Sequence, residues 1–177
     1  MEYFLANNII KIGEIVSVYC DDEKPDTHLT GFLSRCDEGQ MLIDHISPSG
    51  FYDGFILIHA EDIHRMDCGG KYEQKVEKLY QCRQQSHAEF PITGSLYASL
   101  LAFCQRERLI LSAETEDAML SGFLLDFDED IIHLQVIDEY GEENGETIVR
   151  NDEIISFAVD TLTEQNIRLL YQQNQRE

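Results

Sequence analysis

The chain has no tryptophan and only three prolines among its 177 residues, and no lysine follows Lys78. So few prolines, with 11 glycines, exclude a long disordered linker. No apolar run approaches the ~20 residues that cross a bilayer. Met1, Glu2, Tyr3 and Phe4 lack the basic start and long apolar stretch of a secretory leader, which predicts mature sequence at this end. Five cysteines (Cys20, Cys36, Cys68, Cys82, Cys104) show no C-x-x-C spacing. Their odd number argues against a disulfide framework and predicts a reducing, cytoplasmic setting. G-x-S-x-G, G-x-x-x-x-G-K-[ST] and G-x-G-x-x-G are all missing, so no enzyme class and no cofactor is expected.

Positive charge is scarce throughout. Thirteen basic residues face 34 acidic ones, a net charge of −21. The balance is −8 through Pro91 and −13 beyond it. Such a field repels phosphate backbones and anionic lipid; simple solubility accounts for it, and docking of a basic partner is the sharper reading.

What the chain does have is a repeat. Residue i laid over residue i+91 matches without a gap. Gly31, Phe32 and Leu33 fall on Gly122, Phe123 and Leu124, and Asp37 and Glu38 on Asp128 and Glu129. Gly50 and Gly54 fall on Gly141 and Gly145, and Ile63 on Ile154. Glu73, Gln74, Leu79, Tyr80 and Gln81 fall on Glu164, Gln165, Leu170, Tyr171 and Gln172. A unit this long is a small domain, not a solenoid repeat. We expect two domains, 1–88 and 89–177, with the boundary in the polar stretch before Pro91.

In the first copy, alternation predicts strands over 14–20, 28–36, 41–46 and 55–59, with a short fifth over 63–66. An acidic turn over 21–26 and a turn at Asp37, Glu38 and Gly39 separate the first three. A helix over 71–85 follows, with Val76, Leu79 and Tyr80 on one face. The second copy repeats this order. Its closing helix starts at a capping box in which Glu164 reaches back to Thr161, and a short apolar helix over 96–103 precedes its strands. Five short strands leave costly edges unless they curl up. The expected fold is mainly β with helices: two tandem five-stranded small barrels, each with an appended α-helix.

The stretch Gly122, Phe123, Leu124, Leu125, Asp126, Phe127, Asp128, Glu129, Asp130, Ile131, Ile132, His133, Leu134 resembles the first motif of the Sm-like family, Gly-x-Leu-x-x-Phe-Asp-x-x-Met-Asn-Leu-x-Leu. Gly31, Leu33, Cys36 and Asp37 resemble it in the first copy. Ile148 through Ile154 is similar to the second motif, Ile-Arg-Gly-x-x-Ile. Related SH3-like barrels share the glycine and the apolar ladder, since a bent strand needs glycine where backbones crowd. The resemblance implies an Sm-like or SH3-like barrel and, for the family, RNA binding. The base-reading Asn of that family is replaced by Met41 and Ile132, and its Arg-Gly pair by Arg150-Asn151 and His59-Ala60. These departures weaken the RNA expectation.

Several clusters carry candidate chemistry. His59, Glu61 and His64, with Asp62 among them, offer metal-ligand types in the first copy, and the second copy lacks both histidines. A solvated loop is the preferred reading there. Asp126, Asp128 and Asp130 alternate as in a calcium loop, but Ile131 stands where glycine is needed, so a hairpin tip is expected. Asp138, Glu139, Glu142 and Glu143 form an acidic loop, read first as solvated and alternatively as a contact for a basic partner. The matching loop of the first copy holds Phe51, Tyr52 and Phe55, read first as packing against the barrel or the other unit and alternatively as an aromatic contact surface. The function expected is a non-enzymatic cytoplasmic interaction module that binds a protein, with its oligomeric state open. An RNA-associated Sm-like protein with a non-standard surface is the alternative, and a metal-dependent enzyme the third reading.

Overall fold

The computed structural model describes residues 10–20, 27–37 and 39–176. Met1 to Phe4, the acidic turn 21–26 and Glu38 lie outside the described residues. The chain forms two compact units, Met1–Glu89 and Phe90–Glu177.

In unit one, β1 (Ile15–Tyr19), β2 (Leu29–Asp37), β3 (Gln40–Ile46), β4 (Tyr52–His59) and β5 (Arg65–Cys68) precede helix α1 (Lys71–Cys82). Unit two begins with helix α2 (Leu96–Glu107). Then come β6 (Ile110–Thr115), β7 (Met119–Phe127), β8 (Ile131–Ile137), β9 (Glu143–Arg150), β10 (Ile154–Val159) and α3 (Leu162–Asn174). The fold is thus mainly β with helices, and the ladders within each unit among the described residues are antiparallel. No helix among the described residues is long and apolar enough to cross a membrane.

Strand order is β5-β1-β2-β3-β4 in unit one and β10-β6-β7-β8-β9 in unit two. The registers correspond. Gly31 pairs with His45, and Gly122 with Val136. Ladder irregularities fall between Leu33 and Arg35, and between Leu124 and Asp126. A second pair of irregularities separates Asp44 from Ile46 and Gln135 from Ile137. All of these positions differ by 91. In the first strand the offset is 95: Ile15 faces Phe32, whereas Ile110 faces Phe123.

The cores follow the same correspondence. Ile15, Ile46, Val76 and Tyr80 pack together with Phe32 at their edge. Ile110, Phe123, Ile137 and Ile167 pack together with Tyr171 beside them. Leu33 and Leu124 are both buried. A Cβ on Gly31 would collide with the backbone oxygen of Asp44, and one on Gly122 with that of Gln135. These two glycines are therefore required by close backbone approach.

Three expectations are adjusted. Within each unit no described ladder joins β4 to β5, or β9 to β10, so closure into two barrels is not shown. The fifth strand of unit one starts at Arg65 rather than 63, because Ala60–Asp62 makes a 3₁₀ turn and Ile63 caps it. Helix α1 stops at Cys82 rather than 85, because Gln84 takes a left-handed φ of 54° and reverses the chain.

Candidate functional site

Each closing helix is tied to its sheet by a buried carboxylate. Ser17 in β1 donates to Glu73 of α1 at 2.5 Å, and Ser112 in β6 donates to Glu164 of α3 at 2.6 Å. Thr30 and Ser121 complete the two clusters through hydroxyl contacts of 3.2 and 2.7 Å. Glu164 also accepts from the Thr161 backbone N–H at 3.0 Å, the expected capping box. A carboxylate tolerates burial only when its oxygens are hydrogen-bonded, which these are. Repetition in both units marks them as architectural.

The acidic loop of unit two is built on this helix. Asp138 accepts backbone hydrogen bonds from Tyr140 and Glu142, each at 2.9 Å, closing a local side-chain turn. Gly141 has a φ of 77° and abuts Leu170 and Tyr171, leaving no room for a Cβ. Asn174 donates to the Tyr140 and Gly141 carbonyls, and the Tyr171 hydroxyl donates to Glu143 at 3.1 Å. The loop is thereby pinned while Tyr140 stays 67% exposed. Glu139, Glu142 and Glu143 are exposed around it. On α3, Leu162 and Leu169 are also exposed, seven residues apart on the face opposite Ile167. Sequence reading gave no weight to these leucines or to Tyr140.

In unit one the aromatic trio divides. Phe51 is exposed, with the Arg83 guanidinium 4.2 Å from its ring centre. Tyr52 is half-buried, and Phe55 is buried in the core 6.0 Å from the Tyr52 ring. Phe55 therefore offers no external contact surface. The outward positions of α1 that match Leu162 and Leu169 hold Lys71 and Lys78.

His59 ends β4, Glu61 lies in the following 3₁₀ turn, and His64 contacts the Cys20 carbonyl oxygen at 2.8 Å. Among the described residues no three His, Cys, Asp or Glu side chains converge as metal ligands. Asp128 accepts from the Asp130 and Ile131 backbone at a turn between β7 and β8. Met41 and Ile132, at the base-reading positions of Sm-like proteins, are buried. A cleft of about 270 Å³ between α2 and β7 is lined by Cys104, Arg108, Leu109, Phe123 and Gln135 among others.

A further cluster lies on the sheet face of unit one. His87 follows the reversal at Gln84 and stacks on Tyr80, with ring centres 5.1 Å apart and an interplanar angle of 15°. Phe32 meets the imidazole edge-on at 5.0 Å and Tyr52 at 6.0 Å. Asp44, buried in β3, directs its carboxylate to His87 at 4.0 Å. Burial pushes the Asp44 carboxyl above its ordinary range, opposed by His87, a Ser34 hydrogen bond and Arg35.

Compared with known proteins, the chain matches no family model, no curated protein and no solved structure.

Proposed function

We propose that the chain is a non-enzymatic interaction module of the cytoplasm, built from a duplicated Sm-like or SH3-like small barrel, and that unit two docks a basic segment of a partner protein. The duplication is supported by paired registers, cores and buried carboxylates that coincide at the same offset. The barrel reading rests on the bent, glycine-bearing strands β2 and β7 and on the motif resemblance.

The observation that carries the docking reading is Tyr140, 67% exposed on a pinned loop among Glu139, Glu142 and Glu143. Aromatic anchors ringed by charge of one sign are common at protein interfaces and select partners of opposite sign. A pinned loop also loses little conformational freedom on binding.

The test is fluorescence titration of the full chain with lysine- and arginine-rich peptides that carry spaced leucines. Y140A combined with E139Q and E142Q is expected to weaken binding at least about tenfold and to reduce its salt dependence. Unchanged affinity in that variant removes the loop from the interface.

A further inference from the structure

Among the described residues the cluster around His87 has no counterpart in unit two. Offset by 91, Phe32 and Tyr80 have ring counterparts in Phe123 and Tyr171. Tyr52 and Asp44, however, are replaced by Glu143 and Gln135. Unit two therefore lacks both the third ring and the carboxylate, while its sheet keeps the same register. The sheet of unit two keeps its register without this carboxylate, and burying one costs free energy that the Ser34 hydrogen bond and Arg35 offset only in part, since burial still raises the Asp44 carboxyl.

Asp44 sits between two phenylalanines across the ladders, facing Phe32 on one side and Phe55 on the other. The aromatic rings and the carboxylate together present negative potential to one slot. His87 fills that slot incompletely. Its Nδ1 stands 4.0 Å from the carboxylate, beyond hydrogen-bond length, and 3.1 Å from the Tyr80 hydroxyl instead, and its side chain remains 31% exposed. The chain that delivers it is held by the Gln85 side chain, which accepts from the Tyr52 backbone, and by the Gln85 N–H, which donates to the Tyr80 carbonyl.

We propose that Phe32, Tyr52, Tyr80 and Asp44 form a recognition slot for a guanidinium group, the arginine side chain of a partner protein, and that His87 is an internal stand-in that the arginine displaces. The shape selects the ligand. His87 lies parallel to Tyr80, so the slot accepts a flat group. Guanidinium is flat, stacks on aromatic rings and presents a fork of N–H donors that reaches a carboxylate bidentately. An ammonium group lacks both the plane and the fork. The other charged groups near Asp44 are Arg35 and Glu89, of opposite sign, so neither dominates the slot. This site is separate from the acidic loop of unit two and does not depend on it.

The test uses the full chain and its His87→Ala variant, titrated with N-acetylarginine amide, N-acetyllysine amide and free L-arginine and followed by NMR of the Phe32, Tyr52 and Tyr80 ring protons. Removing a competitor that occupies the slot about nine-tenths of the time raises apparent affinity about tenfold. H87A is therefore expected to bind the arginine amide about tenfold more tightly than wild type, and Asp44→Asn in the H87A background to abolish the ring shifts. Equal affinities of wild type and H87A overturn the proposal. So does equal binding of the lysine amide, which signifies general attraction to an acidic protein. A preference for free L-arginine over the blocked amide overturns the assignment to a partner chain. A cooperative H87A thermal transition, lowered by the lost contacts of His87 with Tyr80, shows that the rest of the slot stays folded. Ring shifts absent from an H87A that still melts cooperatively also overturn it.

Discussion

At the scale of single residues, buried carboxylates decide most of what is unusual here. Glu73 and Glu164 are nearly inaccessible and each accepts a short hydrogen bond from a buried serine. Glu164→Ala removes the acceptor for Ser112 and for the Thr161 backbone together. It is expected to cost about 1–3 kcal/mol for the stranded donors, read as a lower midpoint in urea, and Ser112→Ala should cost less because Glu164 keeps its cap. Equal losses would show that the capping contact carries nothing. Asp44 behaves differently. Burial raises its carboxyl above the ordinary 3.8, so the folded chain holds this proton more tightly than the unfolded one. The stabilisation from that proton is complete below the unfolded value and is lost as pH rises through the folded value. Asp44→Asn has no proton to lose. Wild-type stability relative to D44N is therefore expected to fall as pH rises above the ordinary carboxylate range, measured by chemical denaturation below that range and at neutral pH. A constant difference would mean that Asp44 is not desolvated in the folded chain.

At the scale of elements, each unit depends on one bent strand. Gly31 and Gly122 let β2 and β7 pass close to the next strand, and Leu33 and Leu124 follow directly into the core. Leu124→Ala is expected to cost about 2–5 kcal/mol, and Gly122→Ala about 1–3 kcal/mol or more because the added methyl meets backbone rather than a movable side chain. Differential scanning calorimetry of the two variants checks both, and an unshifted transition in either sinks the strand-bend account. These strands were legible from sequence because the glycine, the apolar alternation and the gapless repeat coincide. β1 and β6 were less so. Their offset is 95 rather than 91, so a search at one spacing lays Ser17 over Arg108 and hides its match to Ser112. β9 has only Val149 buried, so alternation alone does not mark it, and the repeat does. The end of α1 was missed because a left-handed Gln84 has no clear signature, unlike a C-terminal glycine. That same residue brings His87 back to Tyr80. The slot draws on Phe32, Asp44, Tyr52, Tyr80 and His87, far apart in the chain and without any fixed spacing, so only the folded arrangement reveals it.

At the scale of the whole molecule, charge governs which partners are admissible. A net charge of −21 places 34 carboxylates against 13 basic side chains. Nucleic-acid affinity draws heavily on counterion release, and each phosphate contact is normally made by Lys, Arg or a backbone amide. Beyond Pro91 only Arg106, Arg108, Arg150, Arg168 and Arg176 are available. Several are already engaged: Arg150 pairs with Asp152 and Glu153 at 2.8 and 2.9 Å, and Arg106 with Glu107 at 2.9 Å. In unit one, Lys71, Lys75 and Lys78 share one helix with Glu73 and Glu77, and Arg65 is bound to Asp67 at 2.5 Å. Local chemistry points the same way. Met41 and Ile132 are buried and apolar where an Sm-like protein would present an amide to a base. Titration of fluorescent U-rich and A-rich RNA at about 0.15 M salt is expected to show no sub-micromolar binding. The steep salt dependence of a true phosphate site should also be absent, with a log–log slope near zero rather than one unit per neutralised phosphate. Arg35 offers an internal control. If RNA binds weakly through unit one, Arg35→Gln should reduce that binding and flatten its slope by about one, whereas E139Q with E142Q should strengthen it only through the net field. Sub-micromolar binding that survives these changes would return the chain to the RNA-associated class and displace the protein-docking reading.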